Sequence, residues 1–222
     1  MGLNVSKGNM YDWVTHTWNT IKGKCPHDCT YCYVKRWGKQ NSLRLDELEL
    51  RTDLGSGNVI FLGSSCDMFA NGIPSDWIIT TLEHCAKYPN NRYLFQSKNP
   101  SAFNGYGVWL AKLDIILCTT IETNRVYPDI MCNSPDPVIR AWDFAHIPID
   151  EKYITIEPIM DFDLWSLASM IRFSYPIQVN IGADSGGNNL PEPSKEKILS
   201  LIDELNEFTT VKQKSNLKRL LK

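Results

Sequence analysis

The feature that most constrains the fold is a recurring unit. A short β-branched or aromatic apolar run leads into a polar or glycine-bearing loop, and a segment of helical period follows. The runs Asn58–Leu62, Arg92–Gln96, Ile115–Ile121, Tyr153–Ile156 and Ile177–Ile181 read as strands. The segments Ser75–Tyr88, Pro100–Ala111, Pro137–Ala145, Leu164–Phe173 and Ser194–Glu207 read as the helices between them, with Ser75 and Ser194 as N-caps. A weaker strand is expected over Thr17–Ile21, and a short strand at Thr209–Lys212 precedes a basic helix, Asn216–Lys222. Alternation of this kind implies βαβ units and a parallel sheet of about six strands. Two architectures satisfy it: a partial (β/α)6 TIM-like barrel with parallel strands, and an open doubly wound sheet. In both, ligands sit at the carboxyl ends of the strands. The residues with chemistry to offer fall there: Gly63, Ser64, Ser65 and Asp67; Ser97 and Lys98; Thr119, Thr120 and Glu122; Glu157 and Pro158; and the stretch Gly182 to Gly187.

At 222 residues the chain suits a single domain, with residues 1–16 as an N-terminal extension and 208–222 as the closing strand and helix. Its 43% apolar and 22% charged residues are those of a globular protein. No apolar run approaches the ~18 residues of a membrane span, and the opening residues lack the apolar centre of a signal peptide. A Met1-Gly2 start with Ser6 is a weak match to a myristoylation pattern, and we discount it. A cytoplasmic location without membrane contact is therefore expected. The net charge of −2 argues against a surface that grips nucleic acid everywhere, and leaves room for a local basic groove.

Three of the seven cysteines, Cys25, Cys29 and Cys32, fall within eight residues in the pattern C-x₃-C-x₂-C. In a chain without an export signal such clustering favours metal binding over disulfides. Three thiolates on one loop can hold a [4Fe–4S] cluster and leave one iron open to another ligand. A zinc site that adds His27 to the three thiols also satisfies the pattern.

The cysteine spacing, with Tyr31 just before the third cysteine, resembles the signature of the radical S-adenosylmethionine (SAM) superfamily. Further segments are similar, in order and spacing, to a phage and bacterial family of that superfamily, one of unassigned substrate that is related to spore photoproduct lyase. They are Trp18-Asn19-Thr20 and Gly23, Asp67-Met68-Phe69, Gln96-Ser97-Lys98, Ile156-Glu157-Pro158 and Gly182-Ala183-Asp184-Ser185-Gly186. The likeness spans roughly residues 10 to 221. The chain departs from it in reading Gln-Ser-Lys where Leu-Thr-Lys is expected, and Gly-Ala-Asp where Gly-Gly-Glu is expected.

The resemblance implies a [4Fe–4S] cluster on Cys25, Cys29 and Cys32. It also implies SAM chelated to the open iron and cleaved reductively to methionine and a 5′-deoxyadenosyl radical, which takes hydrogen from a substrate. The protein's share would be orientation, electrostatics and exclusion of side reactions. Tyr31 would pack over adenine, unless it is simply a core aromatic. Gly63, Ser64 and Ser65 occupy the place of a SAM-amine site, and equally that of a polar turn. Asp67 could take the amine or cap a helix. Lys98 would meet the SAM carboxylate, or remain a solvated lysine. Thr120 and Glu122 would lie near the ribose or the sulfonium. Glu157 would touch SAM or substrate, or pair with Lys98 or Arg125, since an unpaired carboxylate there is costly to bury. Cys66 would return a hydrogen atom to the product radical, or serve as a small buried hydrophobe; Cys85 and Cys118 read as core residues.

For the substrate, the relation to spore photoproduct lyase implies a nucleic acid or nucleotide. Supporting it are the basic C-terminal residues and the aromatic, basic stretch Tyr33–Lys39 with Arg36 and Trp37. A peptide or protein substrate is the alternative, and a non-catalytic iron–sulfur or zinc module a third reading. An external electron donor of flavodoxin or ferredoxin type and a monomeric state complete the expectation.

Overall fold

The computed structural model describes residues 3–7 and 10–222, so the Met1-Gly2 start lies outside the described residues. In chain order the strands are β1 (Asn4–Val5), β2 (His16–Trp18), β3 (Ile21–Lys22), β4 (Arg44–Leu45), β5 (Val59–Leu62), β6 (Arg92–Ser97), β7 (Asp114–Thr120), β8 (Lys152–Ile156), β9 (Gln178–Ile181) and β10 (Thr210–Gln213). The helices are α1 (Ser75–Ala86), α2 (Gly107–Leu110), α3 (Pro128–Met131), α4 (Pro137–Ala145), α5 (Leu164–Phe173) and α6 (Lys195–Asn206). One sheet holds β1, β2 and β5 to β10 in that spatial order; β3 and β4 form a small antiparallel ribbon. Only the β1–β2 pair of the large sheet is antiparallel among the described residues.

Strands β5 to β10 are neighbours in space in the order in which they occur in the chain. Every crossover therefore advances one strand in the same direction, and crossovers of one hand then lay their helices on one face. A doubly wound sheet reverses its order partway and carries helices on both faces, so that alternative is excluded. The parallel α/β frame with barrel-type winding stands. A partial barrel does not require a closed ring, and none is seen: β1 and β10 are the two edges, and no strand pairing joins them among the described residues.

The pleat sorts side chains between two apolar clusters. Leu62, Phe95, Leu117, Ile156 and Ile181 pack outward with Phe144, Ile171 and Leu205 of the helices. Phe61, Leu94, Ile116 and Cys118 face inward, where Tyr11 and Val14 cover them. The N-terminal stretch is thus no mere extension. It crosses the concave face of the sheet, with Tyr11 stacked on Trp13 at 5.3 Å and Trp13 set edge-on to Tyr153 at 5.4 Å.

Several boundaries shift for local reasons. Ser194 caps α6 as expected, accepting a hydrogen bond from Lys197 N at 3.4 Å. Ser75 does not cap α1; it is the first helical residue, and Pro74 holds the boundary in an extended conformation. The expected helix over Pro100–Ala111 is a 3₁₀ stretch, Pro100–Tyr106, followed by one turn of α2. Gly105 and Gly107 weaken a longer α-helix there. The expected strand Thr17–Ile21 divides, β2 joining the large sheet and β3 the ribbon. The closing basic segment is a 3₁₀ turn, Ser215–Arg219. Among the described residues no helix is long and apolar enough to cross a membrane.

Leu94, wholly buried on the inner face, provides a test of this layering. Leu94→Ala should cost roughly 2–5 kcal/mol, read as a lower urea midpoint in circular dichroism. A cost within about 0.5 kcal/mol, as for a surface site, would contradict the buried inner cluster.

Candidate active site

The carboxyl ends of the strands surround a cavity of about 450 Å³, lined by Cys25, Cys29 and Cys32 together with Gly63 to Asp67, Lys98, Thr120 and Glu157. The cysteine loop is wound by short-range hydrogen bonds, Asp28 N to Cys25 O at 3.1 Å and Cys32 N to Cys29 O at 3.2 Å. Asp28, with φ of 54°, sits between Lys24 and Lys35, each 2.8 Å from its carboxylate. The loop enters through Gly23, whose φ of 112° suits glycine and where a Cβ would lie 2.4 Å from Ser42 O.

Asp67 ties this loop to the sheet. Its Oδ2 accepts hydrogen bonds from His27 Nε2 at 2.8 Å, Ser97 Oγ at 2.9 Å and Lys98 N at 2.8 Å. Its Oδ1 accepts from Phe69 N at 3.0 Å. Burial works to raise the Asp67 pKa, and these donors outweigh it and hold the carboxyl below its usual range. The turn-capping reading of Asp67 is thus half of its role. His27, the residue a zinc site would add to the thiols, is engaged here.

A second buried charge lies beside it. Glu122, fully buried, stands 2.8 Å from Arg140 Nη1 and 3.6 Å from Lys98 Nζ, and Tyr31 donates its hydroxyl to it. Arg140 is equally buried and also donates to Thr120 O at 2.5 Å. Burial opposes ionisation of Glu122, and Arg140 and then Lys98 overcome it, so its pKa is lowered. Lys98 Nζ lies 5.4 Å from the Tyr31 ring centroid. Tyr31, Lys98 and Glu122 are therefore one group, with Tyr31 and Lys98 reaching the cavity and Glu122 behind them.

Ser64, Ser65 and Gly63 form a turn held by Asn19, which donates to Ser64 Oγ at 3.1 Å and accepts from Ser65 N at 2.9 Å. Tyr33 donates to Ser64 O at 2.5 Å. Thr120 accepts from Gln96 Nε2 at 2.9 Å. The cation beside Glu157 is Lys214, whose Nζ lies 2.6 Å from it, and Asn216 donates to it at 2.8 Å. Arg125 lies instead against Asp161 and Asp163. The sheet order explains the correction, because β10 is the neighbour that brings Lys214 beside the end of β9. Cys66 is buried, and its thiol neighbours that of Cys25. The interaction of the two thiols holds the Cys25 pKa down to about 6 and pushes Cys66 up. Cys85 and Cys118 are buried, as expected of core residues.

Three residues of this region were not foreseen, Tyr11, Arg140 and Asn216, and Lys214 was expected only as one of the basic C-terminal residues. Tyr11 forms part of the cavity wall, donating to Gln96 Oε1 at 2.7 Å, with Lys214 Nζ 4.6 Å from its ring centroid. Its aromatic neighbour Trp13 was the only local hint.

The donor set suits a thiolate-held iron–sulfur cluster, with three thiols of one loop facing one cavity. Among the described residues no group of three or more His, Cys, Asp or Glu is already gathered at ligating distance. Cys25 rests against Cys66, and Cys29 Sγ lies 3.1 Å from Ser134 Oγ; ligating iron takes both thiols from those partners.

The Glu122–Arg140 pair is open to a double-mutant cycle. Arg140→Leu leaves Glu122 short of its main counter-charge and should cost about 3–5 kcal/mol in urea unfolding. Adding Glu122→Gln should recover a substantial part; strict additivity of the two losses would refute the coupling.

No family model matches the chain, and neither does any curated protein. Solved structures of spore photoproduct lyase do. A cysteine-to-serine mutant of that enzyme is 9% identical with a TM-score of 0.63, over 94% of this chain and 79% of the other. A tyrosine-to-phenylalanine mutant is 9% identical with a TM-score of 0.61, over 96% and 80%. A mutant with bound AdoMet and dinucleoside spore photoproduct is 11% identical with a TM-score of 0.51, over 93% and 66%. At such identities the likeness is one of architecture: the chain has an α/β fold similar to that of spore photoproduct lyase, and its cysteine loop opens on a cavity at the carboxyl ends of the strands.

Proposed function

We propose that the protein is a radical SAM enzyme whose substrate carries a nucleotide unit. The observation that carries this reading is the placement of Cys25, Cys29 and Cys32, on one short loop, around a cavity at the carboxyl ends of a sequentially ordered parallel sheet. The fold likeness to spore photoproduct lyase, seen in one structure with AdoMet and a dinucleoside, supports both the cofactor and the substrate class.

In this reading the three cysteines would hold a [4Fe–4S] cluster, and the chemistry it would supply is the one-electron reductive cleavage of SAM to methionine and a 5′-deoxyadenosyl radical. The chain's own residues bind and orient. Lys98, kept cationic beside Glu122, offers its ammonium to the SAM carboxylate. The Gly63–Ser65 turn, held by Asn19, presents carbonyls and hydroxyls to the SAM amine. Asp67 is already committed to four donors and positions the loop rather than the amine. Glu122 acts in the same indirect way, by aiming Lys98 and Tyr31, whose ring flanks the adenine. Thr120 faces the ribose, and Glu157 with Lys214 and Tyr11 lines the wall where substrate meets the radical. Cys66, beside Cys25, is placed to return a hydrogen atom to the product. An external flavodoxin- or ferredoxin-type protein supplies the electron.

Anaerobic reconstitution should give a brown protein with about four irons per chain, and reductant plus SAM should yield 5′-deoxyadenosine. Cys32→Ala should abolish both; a fully reconstituted wild type that makes no 5′-deoxyadenosine would refute the enzyme. Lys98→Met should weaken SAM binding roughly 10- to 100-fold, the range for a hydrogen bond between charged groups. Unchanged SAM affinity in equilibrium dialysis would remove Lys98 from the SAM site.

A further inference from the structure

A second cavity, about 570 Å³, lies between β1 and the 3₁₀ turn Tyr33–Trp37 that follows the last cluster cysteine. The chemistry argued above does not use it. It shares Tyr33, Gln40, Ser64 and Ser65 with the wall of the first cavity, so the two form a continuous groove leading out of the site.

Aromatic surface lies along this groove. Trp37 is 66% exposed and packs edge to face on Tyr33, with centroids 5.4 Å apart and planes at 82°. The Tyr33 ring is fixed at the junction of the cavities by its bond to Ser64 O. A large flat side chain left in water on a fixed neighbour offers a stacking face to a planar partner.

Charge favours an anionic partner. Lys7 and Arg44 line the groove, and neither is in an ion pair among the described residues. Lys22 also lines it, but lies 2.9 Å from Asp46 and 2.8 Å from Glu49, which neutralise it. Of the six lysines and arginines between Thr20 and Arg44, Lys22, Lys24 and Lys35 meet carboxylates, while Arg36, Lys39 and Arg44 form no ion pair among the described residues. The wall also presents the amide of Asn41, able to meet base edges or phosphates.

We propose that this groove holds the strand flanking the reacting nucleotide, so that the substrate is a single-stranded or locally opened polynucleotide rather than a free nucleotide. The proposal rests on the reading of the first cavity as a radical SAM site. Stacking faces interleaved with cations suit unpaired bases on a phosphate backbone. A base cannot lie on Trp37, nor its neighbour enter the cavity, while both remain stacked in a duplex. An acidic peptide would use the cations and leave the aromatic faces without a role.

The experiment is anisotropy titration of the full chain with a fluorescein-labelled single strand of about ten nucleotides, at several salt concentrations. Wild type should bind with strong salt dependence. Trp37→Ala should weaken binding roughly tenfold, the loss of one stacked base. Arg44→Gln should make the slope of log K against log salt shallower by about one. Both side chains are exposed, and circular dichroism will show that the variants fold. Trp165→Ala, which removes a 69% exposed tryptophan from α5, should bind as wild type. Wild-type affinity in both groove variants would overturn the proposal, as would an equal loss in Trp165→Ala. So would a mononucleotide, a duplex or an acidic peptide binding as tightly as the single strand. 5′-Deoxyadenosine formation by the wild type is scored separately: its absence defeats the enzyme reading, whereas turnover with unaltered binding in the groove variants defeats the groove alone.

Discussion

The site depends on the carboxylate of Asp67. A loop with three thiols in eight residues has little apolar surface of its own with which to fold, and must be held from outside. Asp67 does this by gathering donors from three places: His27 inside the loop, Ser97 and Lys98 at the end of β6, and Phe69 in its own turn. A buried carboxylate is tolerated only when its lone pairs are met. Desolvation here is answered by four donors at 2.8 to 3.0 Å. Because these donors come from separate segments, their convergence fixes the loop relative to the sheet.

Glu122 applies the same logic to charge. Its full burial would be prohibitive alone, and Arg140 from α4 is the largest of the groups that compensate it. Lys98 is the third member and the one with a path to the cavity. Two buried groups therefore hold one cation at the cavity wall, where it needs little rearrangement to meet an anion. The arrangement resembles electrostatic preorganisation in active sites generally, where dipoles and charges are fixed before the ligand arrives.

What could be read from the sequence was local. Strand runs, the cysteine spacing and the polar residues at strand ends are short-range patterns, and the structure gathers Ser64, Lys98, Thr120 and Glu157 around one cavity as the alternation implied. Asp67 was legible by half, since its bond to Phe69 two residues on is a turn signal while its bonds to His27 and Ser97 span 40 and 30 residues. Arg140 looked like any helix residue, because nothing nearby in sequence announces that its face of α4 meets Glu122. Glu157 was expected to need a cation, but the choice of Lys214 follows from sheet order, which periodicity does not encode. Gly105 and Gly107 did carry a warning against a long helix, and the 3₁₀ stretch there is its outcome.

The N-terminal strap across the concave face has a consequence for how the site is assembled. Tyr11 is made well before its partners, which are Gln96, 85 residues on, Thr155, 144 residues on, and Lys214 beyond β10. The wall it forms belongs to the most non-local part of the topology, the part whose closure entropy is spent before its contacts can form. A chain emerging from synthesis carries its cysteine loop long before this wall exists. The thiols thus stay exposed while some 180 residues between them and β10 are added, and their compartment is finished only when β10 is in place.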